Sequence, residues 1–266
     1  MMIRTPLRIL AGLAIICLVR PALSQDLRQD LRPGIIGNDD RVRLDQRGPP
    51  WDAVGQVNVA GFRTGFDCTG TLIAPTLVVT AAHCVINPIA QKPYALKDIH
   101  FLAAVRGSEN KGHATAQCLH FLPNFRPLPL EKSSPTPTGR RVPIESFMDD
   151  VVVIVLNGPV DVKPALVDEH PDPQPGLRLT HVAYPGDHRF VPWVHFDCRL
   201  QRSDADTDLW LNDCDTHPGS SGGPIFTRTD GVYRVAAIML GVWERTYNIA
   251  LPASKWLSLT RDAKCS

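Results

Sequence analysis

The run Gly219-Ser220-Ser221-Gly222-Gly223-Pro224, read with Thr80-Ala81-Ala82-His83-Cys84 and Asp149-Asp150 upstream, constrains this chain more than any other feature. Glycines beside a serine let the backbone turn tightly and aim amide N–H groups at one point, as stabilising an anionic tetrahedral intermediate requires. A serine hydroxyl is a poor nucleophile at neutral pH, so Ser221 needs a base. His83 is the candidate, because an imidazole pKa of about 6.5 suits both taking and returning a proton. Asp150 is the candidate carboxylate that fixes the imidazole tautomer. Read alone, each motif is weak, and a Gly-Ser-Ser-Gly-Gly stretch is a common flexible loop. Together, in the order His, Asp, Ser and 67 and 71 residues apart, they are specific.

The N-terminus reads as a cleavable secretory signal over residues 1–24. Arg4 and Arg8 precede an apolar run from Ile9 to Val19, and Ala22-Leu23-Ser24 offers small residues before a cut at Gln25. Eleven apolar residues are too few to span a bilayer, which takes about 20. The expected localisation is secreted or periplasmic, with no membrane association once the signal is removed. A net charge of +1, with signs mixed along the chain, gives no reason to invoke nucleic acid or an anionic membrane as partner. Seven cysteines include Cys17 in the signal; the remaining six, in an exported chain, predict a disulfide framework. No Cys-x-x-Cys spacing occurs, so no zinc site is expected, and no other metal or cofactor.

Residues 25–50 are polar and Pro/Gly-punctuated, a propeptide or an N-terminal arm. Short strands follow. Residues 54–59 hint at alternation, Thr69 to Ile73 and Leu77 to Thr80 are joined at Ala74-Pro75, and Val151 to Leu156 reads as a strand buried on both faces. Asp230-Gly231, between Ile225–Thr227 and Val232–Val242, is a hairpin signal. The class is all-β, sandwich or barrel. Residues 123–143, with six prolines and Gly139, predict a long surface loop. The Pro-rich stretch from Pro159 to Pro175 predicts the crossing between two halves, 51–158 and 159–252. Residues 253–266 predict a closing helix.

The three motifs resemble those of the trypsin/chymotrypsin-like serine peptidases. Ile36-Gly37-Asn38-Asp39-Asp40-Arg41-Val42 and Asp213-Cys214-Asp215-Thr216-His217-Pro218-Gly219 look like segments of the bacterial glutamyl-endopeptidase group. The resemblance implies two six-stranded antiparallel β-barrels, with a triad of His83 and Asp150 from the first and Ser221 from the second. It also implies an oxyanion hole from the amides of Gly219 and Ser221, a Cys68–Cys84 disulfide, a polypeptide substrate and a monomer. Cys198 and Cys214 bracket a hairpin before the serine loop and are paired next; Cys118 and Cys265 follow by elimination. Asp149 and Ser220 are the rivals of Asp150 and Ser221. The Asp150-to-Leu156 spacing and the Gly-x-Ser-Gly-Gly-Pro pattern favour the latter pair.

Two departures from the family pattern matter. Its animal digestive members carry, just before the nucleophile, an Asp that pairs with a new N-terminal amine. Here that residue is Ser220, so another device must hold the oxyanion loop. Asp215, six before Ser221, stands where trypsin has the acidic floor of its primary pocket. In glutamyl endopeptidases an Asp-Thr pair such as Asp215-Thr216 occurs with a histidine on the next strand, where this chain has Met239. Asp215 is either the pocket floor or a cap on its own turn, and the residue preference stays open. The leading reading is an exported serine endopeptidase. The alternatives are a catalytically inactive binding module and a secreted esterase using the same triad.

Overall fold

The structure is a computed structural model that describes residues 34–59, 67–128, 143–243, 246–261 and 263–265 of the 266-residue chain. The signal expected over residues 1–24 and most of the Pro-rich loop expected over 123–143 lie outside the described residues. Those described belong to one unit, Arg32–Ser266.

Among the described residues fifteen strands run in chain order. β1 is Val42–Arg43, β2 Val54–Val59, β3 Asp67–Ala74, β4 Leu77–Thr80, β5 Ile86–Asn87, β6 Lys92–Pro93, β7 Ile99–Ala103 and β8 Gly112–Phe121. They are followed by β9 Val152–Leu156, β10 Arg178–Ala183, β11 Trp193–Ser203, β12 Trp210–Asn212, β13 Pro224–Thr229, β14 Val232–Trp243 and β15 Tyr247–Pro252. β2, β3, β4, β9, β8 and β7 close into one antiparallel barrel. β11, β10, β13, β14, β15 and β12 form the second, closed by the β11–β12 pairing, with β1 added at the outer edge of β11. Closure leaves neither barrel with a long free edge.

Local sequence explains the elements that matter for the site. β9 is an unbroken Val/Ile/Leu run because β4 and β8 flank it and both faces are covered; all five residues are buried. The β13–β14 turn is Asp230-Gly231, both at positive φ (52° and 78°), as a two-residue hairpin loop with the twist of its strands requires. The crossing falls inside the Pro-rich stretch: Ala165 N–H still bonds to Leu72 of β3, whereas Val167 bridges to Val235 of β14. Thr69 and Tyr184 join the barrels, the Tyr184 N–H donating to Thr69 Oγ1 at 2.9 Å.

The closing helix is shorter and less regular than its sequence predicts. It consists of α1, Ala253–Trp256, and α2, Ser258–Arg261. The Leu257 N–H makes an α-type bond to Ala253, but Thr260 bonds to Leu257, the tighter three-residue spacing. Trp256 is fully buried and pins α1, while the segment beyond Arg261 is held back to β8 by Cys118–Cys265. The other disulfides are Cys68–Cys84, from β3 to the turn after β4, and Cys198–Cys214, across the β11–β12 hairpin.

Candidate active site

The ladder between β4 and β9 places the first two candidate residues. Thr80 pairs with Val152, so Asp150, two residues before Val152, meets His83, three residues beyond Thr80. Between them, buried Ala81 and Ala82 are small enough for the chain to pack as a single 3-10 turn, Ala82–Val85. Asp150 Oδ2 lies 2.6 Å from His83 Nδ1, and Oδ1 accepts the His83 main-chain N–H at 2.8 Å. One carboxylate therefore fixes both the backbone and the ring of the histidine, leaving Nε2 to face away. The His83 side chain is 46% exposed and that of Asp150 only 7%. Packing around the ring works against its charged form, but the charge and hydrogen bond of Asp150 outweigh it and hold the His83 pKa above the ordinary 6.5. Asp149, one residue away, is partly exposed.

The second barrel supplies the serine loop between β12 and β13. The Ser220 N–H bonds to His217, Gly223 to Ser220 and Gly222 to Met239 of β14. Thr69 of the first barrel holds the loop from the other side, its N–H donating to the Ser221 carbonyl at 2.9 Å and its Oγ1 to the Gly219 carbonyl at 3.0 Å. Gly219 (φ +101°) and Gly222 (φ +77°) take conformations that side chains rarely adopt. A Cβ on Gly222 would stand 2.0 Å from Thr80 Oγ1, in direct collision. The N–H groups of Gly219 and Ser221 have no hydrogen bond among the described residues, while those of Ser220 and Gly222 are satisfied. Ser221 Oγ donates to the Leu240 carbonyl at 3.4 Å, and His83 Nε2 has no partner among the described residues. The Ser221 carbonyl lies 3.8 Å from Cys84 Sγ, next in the chain to His83. Nucleophile–base hydrogen bonds are often long or unmade in free enzymes.

Asp215, Thr216 and Met239 are all buried. Met239 is fully buried beside the Cys198–Cys214 disulfide, and Thr216 donates its N–H to the Gly34 carbonyl at 2.9 Å. Asp215 is buried, and its oxygens accept the amides of Ile36 and Asp40 at 2.8 Å each. Neither sequence alternative named these partners, which belong to the arm before β1 and not to the turn of Asp215 itself. Sequence reasoning also missed Thr69, Leu240 and His195, for which no local motif exists.

Among the described residues two groups could be taken for metal sites. Cys68, His83 and Cys84 lie within 4.8 Å of one another, but both sulfurs are spent in a disulfide. Asp40, His195 and Asp215 also converge, yet both Asp215 oxygens accept amides and His195 Nδ1 accepts the Asp215 N–H at 2.9 Å.

The family model described as "Trypsin-like peptidase domain" matches residues 68–234. Over 97 residues the chain is 30% identical to a Drosophila melanogaster protein named "Modular serine protease". That stretch is 36% of this chain and 14% of the relative, so the chain spans a small part of the relative's length. Among solved structures, a Glu endopeptidase in complex with MPD superposes with a TM-score of 0.69 at 20% identity, covering 87% of this chain and all of the other. That likeness is one of fold.

Proposed function

We propose, from the premise that this chain belongs to the trypsin-like peptidase domain family, that it is an exported serine endopeptidase working through His83, Asp150 and Ser221. The observation that carries the reading is His83 held at Nδ1 by a buried aspartate, beside a serine loop with two unspent amide N–H groups. In this scheme the Ser221 hydroxyl attacks the scissile carbonyl carbon while His83 Nε2 takes its proton. The carbonyl oxygen becomes an oxyanion held by the N–H groups of Gly219 and Ser221. Collapse expels the amine, which takes the proton back from His83, and leaves an acyl ester on Ser221. Water, deprotonated by the same imidazole, then hydrolyses the ester.

Asp150 keeps the proton on Nδ1, so that Nε2 presents its lone pair to the serine, and stabilises the imidazolium that forms. Each oxyanion donor is worth about 10²–10³ in rate. Three disulfides and the signal-like N-terminus support export. A trypsin-like pocket with a free acidic floor is not part of this reading, because Asp215 is already engaged.

The test is digestion of a proteome-derived peptide library by the secreted protein beside Ser221→Ala, with product termini read by mass spectrometry. Internal cleavage by the parent and none by the variant is expected. Cleavage by both, or turnover of simple esters without any peptide product, overturns it.

A further inference from the structure

The serine loop is held at two points ahead of Ser221, one by residues 34–41 directly and one through the neighbouring residues 186–187. At the first point Asp215, six residues before Ser221, has a fully buried side chain. Its Oδ1 accepts the Ile36 amide and its Oδ2 the Asp40 amide. Thr216 next to it donates to the Gly34 carbonyl, which also accepts Asn248 Nδ2 at 2.8 Å; Asn248 Nδ2 in turn reaches the Cys214 carbonyl at 2.8 Å. At the second point, the Pro218 carbonyl accepts the Gly186 N–H at 2.7 Å. Asp187, following Gly186, is bound by Arg41 Nη2 at 2.7 Å, and the same guanidinium is shared with Asp39. Gly34 fits with no space to spare: a Cβ there would stand 2.7 Å from the Thr216 carbonyl oxygen and 3.0 Å from Val242, at φ +92°.

We propose that residues 34–41 are a clasp that holds the Asp215–Ser221 loop in its oxyanion-binding conformation, and that Asp215 is the positioning residue on which the clasp closes. The proposal rests on the reading of Ser221 as nucleophile with Gly219 and Ser221 as oxyanion donors.

The physical reason is the cost of a buried charge. Withdrawn from its amides, the fully buried Asp215 carboxylate has lost the donors that offset its burial, and it regains solvation only by moving, with Cys214 and Thr216, out of place. The partners are peptide amides rather than a terminal ammonium. The clasp therefore closes in a chain continuous through Ile36, and needs no newly cut amine and no aspartate at Ser220. It also consumes the charge that a lysine or arginine side chain of a substrate would require. His195 Nδ1 lies 3.4 Å from Asp215 Oδ2 but accepts the Asp215 N–H, so it serves as a brace rather than a counter-ion.

Asp215→Asn and Gly34→Ala attack the clasp from its two sides, the first by altering the carboxylate and the second by wedging the arm away from Thr216. Steady-state kinetics of both, on one substrate with Arg and one with Leu before the cleaved bond, should show kcat lowered about 10²-fold or more on both, the scale of losing an oxyanion donor. KM should change far less. A loss confined to the Arg substrate in Asp215→Asn, or an unchanged kcat in Gly34→Ala, overturns the proposal. Hydrogen exchange on the unmodified protein gives a reading that needs neither a folded variant nor activity. The Ile36 and Asp40 amides should exchange at one common free energy with those of Ser220 and Gly223. Exchange of the arm amides well ahead of the loop overturns the clasp even if the protein is an active peptidase. A protein without peptidase activity whose arm and loop exchange together keeps the clasp and loses the catalytic reading instead.

Discussion

Two buried aspartates stand on opposite sides of the site, and the same physical device serves different ends in each. Asp150, below the first barrel's turn, accepts one main-chain amide and one imidazole N–H. Asp215, in the second barrel, accepts two main-chain amides and has an imidazole 3.4 Å away. What separates them is the partner. The His83 side chain is 46% exposed, as the proton exchange proposed for it requires, whereas that of His195 is 11% exposed and its Nδ1 is already engaged. Amides do not titrate, so Asp215 orders the chain without moving protons. Burial pushes the Asp215 carboxyl above the usual carboxylate range, against its two amide bonds, whereas the charge of Asp150 pushes His83 up. A buried carboxylate becomes catalytic machinery only where what it holds can reach solvent and substrate.

The largest effect that sharpens this contrast belongs to the first barrel. Asp150→Asn should lower kcat about 10⁴-fold by presenting the wrong tautomer, with the fold intact. Asp149→Asn should stay within a few-fold in the same assay. Equal losses at Asp149 and Asp150 would break the comparison at its first term.

The second barrel hides a further histidine, His181, whose Nδ1 bonds to the Pro224 carbonyl at 3.1 Å behind the serine loop. Burial lowers its pKa from 6.5 to about 4, reinforced by the charge of Arg41. The unfolded chain thus binds a proton that the folded one refuses between pH 6.5 and 4, so stability must fall as pH drops through that window. The full effect is about 3 kcal/mol. Urea unfolding of the parent and of His181→Met at pH 7 and at pH 4.5 checks it: the variant should lose less stability on acidification. An equal loss would place the acid sensitivity elsewhere.

A smaller effect is expected where the barrels meet. Thr69→Val removes the hydroxyl that accepts the buried Tyr184 N–H and donates to the Gly219 carbonyl. It should cost about 1–3 kcal/mol, the usual penalty for leaving a buried polar group without its partner. Chemical denaturation reads it directly, and a neutral result would mean that the loop is held by the clasp alone. The smallest shift concerns pH. Because the His83 pKa is raised, the acid limb of kcat/KM should have its midpoint above 6.5, activity rising as the imidazole loses its proton. A midpoint clearly below 6.5 would argue that Asp150 does not act on the ring as a charge.

The same contrast explains what could be read from the sequence. His83 and Ser221 announce themselves because the residues that shape their turns, Ala81 and Ala82 or Gly219 and Gly222, are local and small for steric reasons. β9 shows as an apolar run and the β13–β14 turn as Asp-Gly because both are settled by a few adjacent residues. The Asp215 partners lie 179 and 175 residues away and are backbone amides, which every residue but proline offers, so no side-chain identity marks them. β1 was unreadable for the same reason: two residues of the arm join β11 through main-chain bonds alone. The closing helix was over-extended because its composition lacks proline and glycine, yet the Cys118–Cys265 link ties down the residues after Arg261.

Covalent labelling with an organophosphorus serine-hydrolase reagent, followed by peptide mapping of the protein, tests the assignment of the nucleophile most directly. The account predicts one adduct per chain, on Ser221, abolished by Ser221→Ala and retained by Ser220→Ala. An adduct on Ser220, or a folded protein with all three disulfides formed that takes no label, would contradict it.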